Sequence, residues 1–202
     1  VYIRDSNIKI IGGIFDRNLA IAELVNDANG FRNKSHTVFL RRVDGLIIER
    51  PTVIVPSGKY AISVGDCTKV ICNNPTYSNC ASDGFHILGP ANDITVSGTR
   101  GKTADDILAI TAADYEHYKD CQGSVYNVKF YDTLVTNTNG RIQILGGPGC
   151  EVRNVRVSGY RGGAAPCGVS IGAGQPDLNF VPRFNSDVDD VLIEDINPQV
   201  PT

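Results

Sequence analysis

The chain has 202 residues, enough for one domain with a substantial core, and carries a formal net charge of −3 with a pI of about 5.6. That mild acidity argues against a nucleic-acid binder, which shows a basic patch, and no apolar run reaches the roughly 18 residues of a membrane span. With 21 glycines, no Trp, no Met and mostly β-branched apolar residues, the composition is one of strands and turns.

The chain opens at Val1 with no recognisable leader. Residues 6–15, SNIKIIGGIF, read as an Asn-led strand followed by Gly-Gly. In 17–35, Ala20, Ile21, Leu24 and Val25 fall at helical spacing and predict a short helix or ordered loop inserted in the chain's first coil. Asn33-Lys34-Ser35 is formally a glycosylation sequon, a triplet common by chance.

From Thr37 onward, short alternating apolar runs are separated by Gly, Asn, Asp and Pro, and two columns recur. The first is Ile48, Cys72, Val96, Phe130, Val157 and Ile193; the second is Ile62, Ile87, Ile110, Ile144 and Ile171. Both lengthen between the same coils, as a stacked solenoid with loop insertions requires and a β-sandwich does not. Asp44, Asp93, Asn127, Asn154 and Asp190 precede strands and tolerate the left-handed corner conformation. Gly12, Gly45, Gly84, Gly140 and Gly168 are read as corner residues too. The expected fold is all-β: a single right-handed parallel β-helix of about seven coils, one domain over residues 1–202. With no cap helix at either end, that domain is expected to be a piece of a longer protein or to have its ends covered by a partner chain.

The six cysteines, at 67, 72, 80, 121, 150 and 167, show neither CxxC nor zinc spacing. They are expected to be small buried hydrophobes rather than a disulfide framework.

The chemistry concentrates in 81–110. Asp83 stands in Ser-Asp-Gly, and Asp105 and Asp106 stand side by side; Asp83 and Asp106 are 23 residues apart, about one coil. Stacked coils return the chain one strand spacing away, roughly 4.8 Å, so the three carboxylates should share one ledge. Such a cluster supplies both a protonated acid and a carboxylate, because neighbouring charges raise at least one pKa. His86, Arg141 and Gln143 fall on neighbouring coils of the same face as candidate sugar-binding residues. The segment 112–123 adds Tyr115 and His117, whose polar-tipped rings suit a sugar. The alternative for the acids is plain: Asp is a common turn residue, and two of these three open strands.

Ala-Ser-Asp83-Gly-Phe followed by Thr-Ala-Asp105-Asp106-Ile-Leu-Ala-Ile resembles the family 28 glycoside hydrolases, the polygalacturonase group, and also pectate-lyase-like phage tailspikes. The resemblance implies a right-handed parallel β-helix and an inverting hydrolase of an extended polysaccharide. In it Asp105 would be the general acid, with Asp83 and Asp106 holding the water. The sequence departs from the family at Ala81 and Ala104, lacks its Gly-His-Gly, and has Arg141-Ile142-Gln143 where the family has Arg-Ile-Lys. Plain polygalacturonate is therefore not the expected substrate; a bacterial surface polysaccharide or another pectin-like glycan is. No cofactor or resident metal is expected, and no nucleic-acid or membrane partner. Two other classes stay open: a polysaccharide lyase, for which Ca²⁺ would bind the Asp trio, and a tailspike or adhesin that binds glycan without cleaving it. The expected location is extracellular or on a virion, and the tailspike branch implies a homotrimer.

Overall fold

The computed structural model describes residues 4–17, 36–55, 58–113, 121–137, 139–147, 149–163, 167–172 and 188–197. The predicted helix and the sequon lie outside these residues, except for Arg17. The strands in chain order are β1 (Asp5–Ile11), β2 (Ile14–Asp16), β3 (Val38–Arg41), β4 (Val43–Glu49), β5 (Thr52–Ile54), β6 (Ile62–Asn73), β7 (Thr76–Cys80) and β8 (Phe85–Ser97). They continue as β9 (Arg100–Thr103), β10 (Leu108–Thr111), β11 (Val125–Val135), β12 (Ile142–Leu145), β13 (Val152–Gly162), β14 (Val169–Gly172) and β15 (Val188–Asn197). The described residues contain no α-helix, and every pairing between named strands is parallel.

The strands form three stacks. One runs β1-β4-β6-β8-β11-β13-β15. A second runs β3-β6-β8-β10-β12-β14. The third runs β2-β5-β7-β9 and continues through the C-terminal ends of β11, β13 and β15. β6, β8, β11, β13 and β15 are long enough to bend and serve two stacks each. This parallel, all-β arrangement is compatible with a β-helix.

The first expected column is observed in full: Ile48, Cys72, Val96, Phe130, Val157 and Ile193 are successive register partners. The second holds from Ile87 through Ile110 and Ile144 to Ile171, but its first member is Val64; Ile62 pairs with Phe85 instead. The error is two residues, which keeps the same face of the strand, so periodicity alone could not detect it.

The corner prediction holds at Asp93, Asn127, Asn154 and Asp190, all with positive φ. At Asp44 it is wrong by one residue: the left-handed position is Gly45, at φ 81°. Register aligns Asn7, Gly45, Lys69, Asp93, Asn127, Asn154 and Asp190 as one column of left-handed residues. Its amides bond along the stack, Asn154 Nδ2 to Asn127 Oδ1 at 2.7 Å and Asn127 Nδ2 to Asp93 Oδ1 at 2.9 Å. Gly12 is also left-handed, but Gly84, Gly140 and Gly168 are not. Gly84 and Gly140 serve close approach instead. A Cβ on Gly84 would lie 2.4 Å from the Ile107 carbonyl oxygen, and one on Gly140 would lie 2.7 Å from Val135 Cγ1.

The core fills the space between the stacks with Leu46, Val70, Ile94, Val128, Phe130, Phe85, Ile110 and their neighbours. Each fully buried aliphatic or aromatic side chain of this kind contributes about 1.5–3 kcal/mol. Cys67, Cys72, Cys80 and Cys121 are buried as expected, whereas Cys150 and Cys167 are only partly so; all six are free thiols, and burial pushes the Cys80 thiol up to about 12.

Candidate functional site

The acids occupy the corner where the third stack turns into the second. There β7 leads to β8 through residues 81–84, and β9 leads to β10 through 104–107. Gly84 N–H donates to the Asp106 carbonyl at 2.9 Å, and Phe85 pairs with Leu108, so Asp83 and Asp106 lie in one row as their spacing predicts. Gly84 is what allows this approach, since any side chain there would meet the Ile107 carbonyl and the Tyr77 ring. The Thr103 hydroxyl donates to the Asp105 carbonyl at 2.7 Å and shapes the turn that presents both acids. On the next coil Arg141 takes its place through its carbonyl, which accepts from Ile107 N–H at 2.8 Å.

One carboxylate oxygen from each of Asp83, Asp105 and Asp106 lies within 4.8 Å of the others. Their environments differ. The Asp83 and Asp106 side chains are 5% and 9% exposed, whereas Asp105 is 57% exposed. Arg141 Nε donates to Asp106 Oδ1 at 2.6 Å, and its NH2 group is 3.6 Å from Asp105 Oδ1. Asp83 accepts from the Ser82 hydroxyl at 3.3 Å, and its Oδ2 is 2.6 Å from His86 Nδ1.

Burial pushes the Asp106 carboxyl up to about 8, with the charges of Asp83 and Asp105 adding to it, and Arg141 offsets only part of this. Burial, then the Asp83 charge, also raises Asp105, against a downward pull from Arg141 and Lys59. Burial disfavours the Arg141 charge, but Asp106 and Asp105 outweigh it and hold the guanidinium above its usual value. The corner therefore retains a proton where a solvated carboxylate would not.

The expected sugar-binding residues are not equally placed. Arg141 is partly exposed and sits on the acids. His86 is buried, with its ring stacked on Tyr60 at a centroid distance of 3.7 Å. Gln143 shares its row with Ala109 and His86 but is buried, and its Nε2 donates to Ser170 Oγ at 3.3 Å. Tyr115 and His117 lie outside the described residues.

Sequence reasoning missed Lys59, Tyr60, Ser63 and His36. Tyr60 lies in the row of Asp83, two residues before the Ile62–Phe85 pair, and Ala61 N–H donates to the Asp83 carbonyl at 2.9 Å. Lys59 Nζ stands 4.6 Å from the Tyr60 ring centroid. His36 is 3.0 Å from Ser63 Oγ through Nδ1, and burial, with the nearby His86 and Lys59, pushes it down to about 3. The available signal was the same one-coil interval counted backward from Asp83, which lands on Tyr60.

The three acid oxygens are close enough for one divalent cation to meet, but Arg141 already supplies positive charge to two of them. Compared with known proteins, the chain matches no family model, no curated protein and no solved structure.

Proposed function

We propose that the protein is a glycoside hydrolase of an extended polysaccharide, built on a right-handed β-helix of about seven coils. The observation that carries this reading is the convergence of Asp83, Asp105 and Asp106 at one corner, with one acid exposed and proton affinity raised. Hydrolysis needs a carboxylic acid for the leaving oxygen and a carboxylate that activates water or attacks directly. Asp105 is the exposed acid and takes the first role. Its proton passes to the glycosidic oxygen as the bond from that oxygen to the anomeric carbon breaks. Asp83 and Asp106 take the second role and hold the attacking water, which bonds to the anomeric carbon and gives up its proton to the Asp83 carboxylate. Arg141 offsets the negative charge left on Asp105 or Asp106 when a proton departs and stays near enough to meet a hydroxyl or acid group of the sugar. The substrate class carried over from the resemblance is a bacterial surface polysaccharide or a pectin-like glycan.

The resemblance implies inversion, yet the three acid oxygens, all within 4.8 Å of one another, stand closer than the roughly 6.5–9.5 Å of inverting pairs and nearer the roughly 5–5.5 Å of retaining ones. NMR of the first-formed anomer decides the stereochemistry. For the reaction itself, a panel of pectins, capsules and O-antigens is digested with wild type and with Asp105→Asn, which keeps the shape and removes the acid proton. The expected loss is about 10²- to 10⁴-fold in rate, with fold and glycan binding intact. Equal rates would remove Asp105 as the acid. Activity is expected to survive EDTA; a chelator-sensitive reaction releasing ultraviolet-absorbing unsaturated sugars would instead identify a Ca²⁺-dependent lyase. Binding of intact glycan with no cleavage across the panel would identify an adhesin.

A further inference from the structure

Along β8, Phe85 and Ile87 are buried in the core, so strand alternation turns His86 to the outer side. A histidine there is ordinarily solvated. His86 is instead 3% exposed, and its ring lies against Tyr60 with the planes only 15° apart. Its row neighbours are Ser63 and Ala109, both small, so a ring fits between them at this level of the stack. The imidazole is too buried to meet a sugar, which leaves its contact with Asp83 to be explained.

We infer that His86 is a positioning residue, which through Nδ1 locks the Asp83 carboxylate in the orientation that faces Asp106 and Asp105. This rests on the hydrolase reading of the acid cluster. The Asp83 side chain hangs on a Ser-Asp-Gly turn and has two rotatable bonds. Ser82 Oγ holds Oδ1 at 3.3 Å, and the imidazole holds Oδ2 at 2.6 Å. With both oxygens held, the carboxylate plane is set. The 2.6 Å separation requires one proton between the two atoms, and Nδ1–H donating to a carboxylate is a charge-assisted bond of the strong class. Tyr60 completes the device. Its ring, with a centroid 3.7 Å away and only 15° from parallel, packs flat on the imidazole and holds the plane in which Nδ1 meets Asp83. Carboxylates that must address a reacting centre need such support, because small misorientations are costly in rate.

The geometry separates three substitutions. Asparagine places an amide N–H near the position of Nδ1, glutamine carries its amide out toward Nε2, and leucine has no donor. On a glycan that the wild type cleaves, His86→Leu and His86→Gln are expected to lower kcat by about 10- to 100-fold with little change in KM, the usual cost of losing a hydrogen bond to a charged group. His86→Asn should recover most of that loss. Circular dichroism and thermal melts on each variant identify any that has simply failed to fold. A readout independent of substrate comes from ¹⁵N NMR of the wild-type imidazole. A proton is expected on Nδ1, and Asp83→Asn should change its resonance. Finding Nδ1 without a proton, or equal kcat in the Asn and Gln variants, would overturn the proposal. If the wild type cleaves no glycan the hydrolase reading fails, and the proton position still decides whether His86 holds Asp83.

Discussion

Asp106 sets the protonation of the cluster. Its pKa is raised to about 8 by burial first and by Asp83 and Asp105 next, against an ordinary value of about 3.9 when unfolded. Between these limits the folded state holds a proton that the unfolded state releases. The unfolded state then binds fewer protons, so this group makes stability fall as pH rises from about 4 through about 8. Asp106→Asn removes that slope. In urea unfolding measured across this range, the asparagine variant should therefore gain on wild type steadily with pH; a difference independent of pH would contradict the raised value. The same direction at Asp105 has a kinetic counterpart. As the proposed acid it must carry its proton, so the rate should be lost as pH rises through its elevated pKa. Asp83, Asp105 and Asp106 could be picked out from the sequence by spacing, but their inequality could not. Spacing placed them on one ledge, whereas exposure of 57% against 5% and 9% is set by what packs around each.

At the scale of elements, the turns carry the specificity of the fold. Gly84 sits where any Cβ on the Ser-Asp-Gly turn would lie only 2.4 Å from the Ile107 carbonyl oxygen. Gly84→Ala should cost about 1–3 kcal/mol by overpacking and also push Asp83 away from Asp106. The Asn corner is a different device. Asn127 has φ 57° and bonds to Asn154 above and Asp93 below. Asn127→Val forces a β-branched residue into the left-handed region and removes those bonds, for an expected loss of about 1–2 kcal/mol. Asn127→Gly keeps the conformation and should lose less. Equal losses in chemical denaturation would show that the side-chain ladder, not the backbone, carries the corner. The sequence identified these corners correctly at Asp93, Asn127, Asn154 and Asp190 because Asn and Asp tolerate this conformation. It erred at Asp44 because a neighbouring Gly45 tolerates it better.

For the whole molecule, stacking makes stability local. Each coil rests on its two neighbours, so coils in the middle are supported twice and those at the ends once. The burial of the strands follows this. β10 is buried at every position, while β1 and β15 hold no fully buried residue. Ile193 continues the core column of Val157 yet is 38% exposed, and Ile171 continues that of Ile144 yet is 47% exposed. Hydrogen exchange should be slowest in β8, β10 and β11 and should quicken toward β1 and β15. Uniform protection from end to end would mean that the ends are covered in solution. The acid corner lies on the well-supported coils, which suits a site that must hold three carboxylates against their own repulsion.

Strand periodicity, the matched columns and the Asp interval are local or one-coil properties, so the sequence by itself determined the parallel all-β architecture, most of the core register and the meeting of Asp83 with Asp106. Two kinds of fact lay beyond it. Register errors of two residues, as at Ile62 and Val64, leave the pattern of faces unchanged, and only the paired backbones resolve them. The roles of outward-facing residues depend on what covers them. His86 and Gln143 read as solvent-facing sugar ligands, yet the fold buries both, His86 under Tyr60 from the preceding coil and Gln143 beside Ser170 from the following one. Alternation along a strand determines which face a side chain takes, but whether that face meets water is decided by segments distant in sequence. Tertiary packing for that reason sets His86 Nδ1 2.6 Å from the Asp83 carboxylate, where the sequence suggested a solvent-facing contact with substrate.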